Sequence, residues 1–94
     1  MKKNIYQLQK SGRKIKTSHF LLYYHDSERM KIGFLLSKGN GKASIRNKIK
    51  RIVREWCSLH LGRGDLLFRL LGDCTLCHRT HIEKELFFAK EKLQ

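Results

Sequence analysis

The sequence predicts a small α+β domain, an α-β sandwich with the element order α-β-β-β-α-β-α. The chain has 94 residues, enough for one modest core, so residues 1–94 are expected to form a single domain. Apolar residues make up 40% of the chain, which is close to the share in ordinary globular proteins. Short runs with a period of two are interspersed with runs of helical period, which indicates helices packed against a sheet.

The N-terminal part is expected to contain a short helix and then an extended segment. Over residues 3–11, Ile5 and Leu8 are three residues apart among good helix formers, and Gly12 fits a helix C-terminal cap. Residues 13–24 are expected to be extended, because the run over 18–24 is short and aromatic. Alternation along that run predicts one face with Phe20, Leu22 and Tyr24 and another with His19, Leu21 and Tyr23.

The clearest strand pattern lies over residues 29–37. Apolar side chains occupy every second position, at Met30, Ile32, Phe34 and Leu36. A polar segment over 25–28 separates this run from the preceding strand. The two runs, 20–24 and 30–36, are therefore expected to pair as an antiparallel hairpin.

The strongest helix pattern lies over residues 43–60. At about 100° per residue, its apolar side chains share an arc of about 120°, which predicts the buried stripe of the helix. These side chains are Ile45, Ile49, Ile52, Val53, Trp56 and Leu59. An adjoining arc of about 140° is basic and polar. It carries Arg46, Asn47, Lys50, Arg51 and Arg54.

A buried strand and a last helix complete the predicted order. The run over 65–71 is apolar except for Arg69, and Gly72 and Asp73 end it. Thr80 and Glu83 match a capping box, which places the start of a helix at Thr80. The apolar stripe of this helix is expected to consist of Ile82, Leu86, Ala89 and Leu93.

The charge of the chain indicates a polyanionic partner. Lys plus Arg is 21 and Asp plus Glu is 8, so the formal net charge is 21 − 8 = +13. Nucleic acid is the favoured partner, because its phosphates are dense and binding releases counterions. A membrane partner is not expected, since the apolar residues are spread over several segments rather than forming one amphipathic face or one spanning run. Charge alone leaves DNA and RNA open.

The helix over 43–60 is the candidate binding element. Arg46, Lys50 and Arg54 recur every four residues and form a row with steps of about 6 Å along the axis. A glycine-containing loop leads into the helix, whose N-terminus offers free N–H groups to a phosphate. Asn47 can contact a base edge or a ribose 2′-hydroxyl. The alternative, a solvated charged face, is disfavoured because acidic partners at four-residue spacing are nearly absent.

The chain has three cysteines, Cys57, Cys74 and Cys77, which is an odd number and too few for a disulfide framework. The run from Cys74 to His78 matches the attachment motif of c-type haem, but that chemistry requires export and the first residues lack the apolar stretch of a signal peptide. Zinc prefers two ligand pairs separated by a longer span, so zinc binding by Cys74, Cys77, His78 and His81 is also disfavoured, but it stays open. Buried or surface thiols are the favoured interpretation.

A series of short motifs around the basic helix resembles the signature of the bacterial ribonuclease P protein subunit. The motifs are Lys31-Ile32-Gly33, Ser37-Lys38, Ala43, Arg46-Asn47-Lys48, Lys50-Arg51 and Arg54. The family pattern is Arg-x-Gly-x-x-x-Ser-Lys-Lys, then Gly-Asn-Ala, then Arg-Asn-Arg-x-Lys-Arg with a further Arg one turn later. This chain departs from it at Gly39, Lys42 and Lys48, and it has Ile5 and Gln9 where the family tends to place aromatics.

The resemblance implies a fold and a function. The fold is that of ribosomal protein S5 domain 2. The protein would bind the catalytic RNA, one protein per RNA, and the single-stranded 5′ leader of precursor tRNA, and it would support endonucleolytic removal of the leader. The RNA supplies the catalytic groups, so no protein residue is expected to be catalytic, and Mg²⁺ is held mainly by the RNA subunit and substrate.

The resemblance also implies two sets of site residues. The RNA-binding set consists of Lys38, Lys42, Arg46, Asn47, Lys48, Lys50, Arg51 and Arg54. The leader-binding cleft would be lined by Ile5, Tyr6, His19, Leu21 and Tyr23. The expected compartment is the cytoplasm. The rival functions are a structural RNA-binding protein, such as a ribosomal component of similar fold, and, more distantly, a DNA-binding module.

Overall fold

A computed structural model describes residues 13–93 as four strands and two long helices. The strands are β1 (Arg13–Lys16), β2 (Phe20–His25), β3 (Met30–Leu35) and β4 (Gly64–Leu70). The helices are α1 (Ala43–His60) and α2 (Arg79–Leu93), and a single 3-10 turn covers Lys38–Asn40. The helix expected over residues 3–11, including Ile5 and Tyr6, lies outside the described residues. Neither α1 nor α2 combines the length and apolarity needed to cross a membrane.

The four strands form one sheet in the order β1-β2-β4-β3. β4 pairs antiparallel with β2 and parallel with β3, so Leu66 lies opposite both Tyr24 and Ile32. The expected hairpin between β2 and β3 is therefore wrong, because β4 is inserted between them. A parallel pair requires a long crossover, and α1 supplies it between β3 and β4. The fold is mixed α+β, as the sequence predicts.

The main core lies between the helices and one face of the sheet. Phe68 of β4 is at its centre: its ring meets Phe20 edge-on at 5.4 Å and stacks on Phe34 at 5.9 Å. Phe20 and Leu22 of β2 are buried in this core and Tyr24 packs against it. The alternation predicted for these three residues is confirmed.

The buried stripe of α1 is rotated slightly from the predicted one. Ile49, Ile52, Val53 and Trp56 are buried and Ile45 packs against the core, as expected. Leu59 was expected in the same stripe, but its side chain is 80% exposed. Cys57 lies only about 40° from Val53 around the helix, whereas Leu59 lies about 120° from it. The stripe is centred near Val53, so Cys57 is fully buried and Leu59 is not.

The stripe of α2 agrees with the sequence, although the predicted cap does not. Ile82, Leu86 and Ala89 are buried, and Leu93 packs against the core. The helix begins at Arg79, and the backbone N–H of Ile82 donates to the His78 carbonyl at 3.2 Å. Thr80 is thus already inside the first turn and does not act as the N-cap.

Candidate nucleic-acid interface

The loop between β3 and α1 is held in place by the side chain of Asn40. This side chain is buried, and its Nδ2 donates to the carbonyls of Leu70 at 3.3 Å and Gly72 at 2.7 Å. Its Oδ1 accepts from the backbone N–H of Ser37 at 2.8 Å. The loop is thereby attached to the end of β4, which fixes where α1 begins. Asn40 carries no local sequence signal of this role, because its partners lie 30 and 32 residues away.

The start of α1 is closely packed and has no side-chain cap. Gly41 has φ +131°, and a Cβ added there would lie 3.2 Å from Cγ2 of Ile45 and 3.3 Å from Oγ1 of Thr75. Lys42 occupies the N-cap position and makes no side-chain capping hydrogen bond. The first turn contains no acidic residue. The N–H groups of this turn and the positive end of the helix dipole therefore face no competing carboxylate of the turn itself.

The residues of the predicted RNA-binding set lie on one loop and one helix, and most are open to solvent. Arg46 and Lys50 are half-buried. The exposed members are Lys38, Lys42, Asn47, Lys48, Arg51 and Arg54. Exposed side chains on a rigid helix keep their relative spacing, which is what a row of phosphates requires.

Three acids of the described chain pair with basic side chains, all of them outside this set. The ion pairs within residues 13–93 join Glu85 to His19, Asp26 to Arg63 and Glu55 to Arg79. Glu55 lies on α1 itself, yet its carboxylate is directed to Arg79 of α2, at 3.2 Å. In the described part of the chain, no carboxylate neutralises a cation of the predicted RNA-binding set. The face therefore keeps its positive potential.

The row Arg46, Lys50 and Arg54 borders the edge strand β3. The guanidinium carbon of Arg54 lies 5.3 Å from the centroid of the Phe34 ring, a cation–π distance. At the other end of the row, Nε of Arg46 is enclosed and has no hydrogen-bond partner among residues 13–93. Both arginines are thus partly oriented by the fold, while Lys50 lies between them at helical spacing.

The predicted leader-binding residues are only partly brought together. Leu21 and Tyr23 are 8% and 7% exposed and form a small cluster with Leu67, against which Leu35 and Leu71 pack. This cluster is separate from the main core, as the alternation along β2 predicts. Ile5 and Tyr6 lie outside the described residues. Binding of a single-stranded RNA leader by these residues stays a prediction.

The structure places His19 differently from Leu21 and Tyr23. β2 begins at Phe20, so the alternation that assigned His19 to their face does not extend to it. Its Nδ1 lies 2.6 Å from Oε2 of Glu85, and its backbone N–H donates to Oε1 of Glu85 at 2.7 Å. Thr17 also donates its hydroxyl to that carboxylate. His19 therefore attaches the β1–β2 turn to α2, which is a structural contact.

The cysteines are buried in the described structure. Burial raises the pKa of Cys57 to about 12 and, with a smaller contribution from Cys77, that of Cys74 to about 12. Burial also raises the pKa of Cys77. Within residues 13–93, no three His, Cys, Asp or Glu side chains converge as metal ligands. His78 and His81 are exposed, with ring centroids 5.7 Å apart.

The model of the Ribonuclease P family matches residues 1–93 of this chain. Among curated relatives, the ribonuclease P protein component of Geotalea uraniireducens is 37% identical over 59 residues, which is 61% of this chain and 52% of that protein. The corresponding protein of Desulfosudis oleivorans is 44% identical over 52 residues, 53% of this chain and 43% of that protein. The chain spans about half the length of the curated relatives it matches.

Solved structures share the fold over nearly the whole chain. The RNase P protein of Staphylococcus aureus superimposes with a TM-score of 0.85 at 21% identity, covering 100% of this chain and 92% of that one. The RNase P protein of Thermotoga maritima gives a TM-score of 0.81 at 18% identity, covering 99% of this chain and 94% of that one. At these identities the likeness establishes the architecture.

Proposed function

The chain belongs to the Ribonuclease P family, and from this premise we propose that it is the protein subunit of ribonuclease P. In this proposal it binds the catalytic RNA, one protein per RNA, and the 5′ leader of precursor tRNA. The complex removes the leader by endonucleolytic cleavage and forms the mature 5′ end of tRNA. We place this activity in the cytoplasm.

The observation that carries the proposal is the unpaired basic face of α1. Arg51 and Arg54 are exposed, Lys50 beside them is half-buried, and the ion pairs of the described residues lie elsewhere. Phosphate contacts by such side chains release counterions and dominate affinity for nucleic acid. Asn47 lies beside them and would reach a ribose 2′-hydroxyl, which distinguishes RNA from DNA.

The chemistry of cleavage is assigned to the RNA. Mg²⁺ would supply phosphodiester activation, with its oxygen ligands coming mainly from the RNA subunit and the substrate. The protein's part is electrostatic: Arg46, Lys50 and Arg54 would lie along the RNA backbone and lower the repulsion between its phosphates. Asp26 and Glu55 face Arg63 and Arg79, and Glu85 faces the imidazole of His19, so we assign these acids structural roles.

The leader would bind on the sheet face of Leu21 and Tyr23, whose nearly buried side chains would form the floor of the site, and Ile5 and Tyr6 would contribute to it. Single strands are bound by aromatic platforms next to positive grooves. Lys14 and Lys16 lie opposite Tyr23 and Leu21 in β1 and are exposed, so this face has cations at its border. His19 would contribute through the position of the β1–β2 turn, since its ring is held by Glu85.

Reconstitution tests the function directly. The protein is added to a ribonuclease P RNA at low Mg²⁺, and cleavage of precursor tRNA is followed. Restored cleavage at the mature 5′ end is the expected result. If the protein binds the RNA and cleavage is not restored, the chain is a structural RNA-binding protein and the proposal is wrong.

Filter binding across a salt series tests the face that carries the proposal. Arg51→Ala is expected to weaken binding of the RNA subunit and to reduce the slope of log affinity against log salt by about one. Arg46→Ala is expected to act in the same direction. Lys84→Ala is the matched control, because Lys84 is an exposed cation of α2 outside the face. An unchanged affinity and slope for Arg51→Ala would contradict the assignment.

A further inference from the structure

A second basic surface lies between β1 and α2, at the opposite edge of the sheet from α1's basic row. It is a groove of about 340 Å³, lined by Arg13, Lys14, Ile15, Lys16, Phe88 and Lys92. That volume is at the lower end for pockets that enclose a small ligand. All of the charged residues that line it are cations, so it suits an anionic chain passing over it better than a neutral small molecule.

The cations approach the groove from both faces of the sheet. Lys14 and Lys16 lie opposite Tyr23 and Leu21 in the register of β1 and β2, so they share the face of that cluster. Arg13 belongs to the other face, where its Nη1 donates to the carbonyl of Leu93 at 2.6 Å. That bond uses one of the five guanidinium donors and fixes the group at the end of α2.

Phe88 gives the groove an exposed aromatic ring. Its side chain is 46% exposed, and Nζ of Lys92 lies 5.3 Å from the ring centroid. The adjacent Phe87 is exposed to a similar extent, but its ring meets those of Trp56 at 5.1 Å and His60 at 4.9 Å. Phe88 makes no such aromatic contact among the described residues. Within residues 13–93, the part of its ring that Lys92 does not cover is therefore without an aromatic partner and suits a base.

We propose that this groove binds single-stranded RNA, with a base on Phe88 and phosphates on Lys92, Lys14 and Lys16. Cations beside an exposed ring are the combination that single-stranded nucleic acid recognises. The inference deepens the proposed function, on which it rests. It adds a second RNA contact, about 14 Å across the sheet from β3, the strand that borders α1's basic row.

The precursor leader is the expected source of the strand. Lys14 and Lys16 adjoin the face of Leu21 and Tyr23, where the leader is proposed to bind. A leader that continues past this face would cross the edge of β1 and reach Phe88 and Lys92. The catalytic RNA offers the same chemistry, so the two sources are separated by experiment.

Binding of precursor tRNA to the reconstituted holoenzyme is measured with long-leader and short-leader substrates. Phe88→Ala is expected to weaken binding of the long-leader substrate about 10-fold, and Lys92→Ala about 3-fold with a salt slope lower by about 0.7. Phe88→Tyr keeps the ring and should restore affinity. Phe87→Ala and Lys84→Ala are the matched controls. Binding of the short-leader substrate should be unchanged.

The outcomes of these binding measurements identify the source of the RNA strand or overturn the proposal. Equal losses for both substrates, with weaker binding of the RNA subunit, would support the groove with the catalytic RNA as the source. Wild-type binding by Phe88→Ala and Lys92→Ala, or equal losses in Phe87→Ala and Phe88→Ala, would overturn the proposal. Circular dichroism of each variant checks that it is folded.

A separate measurement keeps the two proposals distinguishable. Fluorescence anisotropy of a labelled single-stranded RNA is followed with the free protein, which needs no ribonuclease P RNA. A loss in Phe88→Ala that persists in the Arg51→Ala background supports a groove independent of α1. If reconstitution restores no cleavage while this loss is seen, the proposed function fails and the groove stands. If cleavage is restored and Phe88→Ala binds as tightly as wild type, the groove fails alone.

Discussion

Helices α1 and α2 use similar apolar stripes and very different polar faces. Both contribute side chains to the same core. Helix α1 carries five Lys or Arg residues and one acid, whereas α2 carries four Lys or Arg residues and three acids. The acid of α1, Glu55, is directed to Arg79 of α2. The apolar stripes therefore serve the fold, and the distribution of carboxylates determines which basic face of the described residues is left without ion pairs.

One acid of α2 makes contacts that hold the fold together. Glu85 is turned inward: its side chain is 13% exposed and accepts hydrogen bonds from Thr17 and His19. This helix attaches the β1–β2 turn to the rest of the domain. Helix α1 has no inward carboxylate of this kind, since Glu55 is exposed. We infer that the inward acid of α2 stabilises the fold, whereas the polar face of α1 mainly presents positive charge.

The largest effect expected from a substitution on the polar faces is on stability and comes from the inward acid of α2. Glu85→Ala leaves the donors of Thr17 and His19 without their acceptor in a partly buried site. It should lower the free energy of unfolding by about 1–3 kcal/mol. Glu91→Ala, at an exposed position of the same helix, should change it by less than about 0.5 kcal/mol.

Urea unfolding followed by fluorescence of Trp56 measures both variants. Trp56 is the one tryptophan in the sequence and is buried in the core, so its emission reports on global unfolding. Equal midpoints for Glu85→Ala and Glu91→Ala would mean that the carboxylate network does not stabilise α2. The contrast between the helices would then rest on charge count alone.

The second-largest effect is expected from placing an exposed carboxylate on the basic face of α1. Asn47→Glu places an acid four residues before Arg51, the favourable orientation for an intrahelical ion pair. Stability should stay within about 0.5 kcal/mol of wild type, whereas affinity for the RNA subunit should fall about 10-fold because a like charge then faces the phosphates.

Thr80→Glu is the matched control for this substitution. It places an acid four residues before Lys84 on an exposed position of α2. Filter binding at one salt concentration compares the two variants. If both lose affinity equally, net charge rather than the α1 face governs binding, and the contrast between the helices does not extend to function.

Local periodicity predicted much of this molecule. The alternation along β2, the extent of α1 and the stripe of α2 are all confirmed, because each depends on neighbours in sequence. The cationic face followed from the same periodicity, since side-chain direction on a helix is set by residue spacing. Its proposed role in RNA binding came from the family resemblance.

What the sequence did not reveal depends on partners far along the chain. β2 and β3 have the pattern of a hairpin, and only the insertion of β4 separates them. Asn40 looks like an ordinary loop residue until its contacts with Leu70 and Gly72 are seen. His19 continues the pattern of a strand, yet Glu85, 66 residues away, holds its ring. None of these pairings leaves a local signal.

The smallest expected effect concerns the end of α1, where pattern and structure disagree. Leu59 has the spacing of a core residue, yet its side chain is 80% exposed. Leu59→Lys should therefore change the free energy of unfolding by less than about 0.5 kcal/mol. Val53→Lys, on the centre of the same stripe, should prevent folding, because it buries an unpaired charge. Thermal unfolding followed by circular dichroism compares the two. A large loss for Leu59→Lys would mean that the end of α1 packs against the domain in solution and that the predicted stripe extends to Leu59.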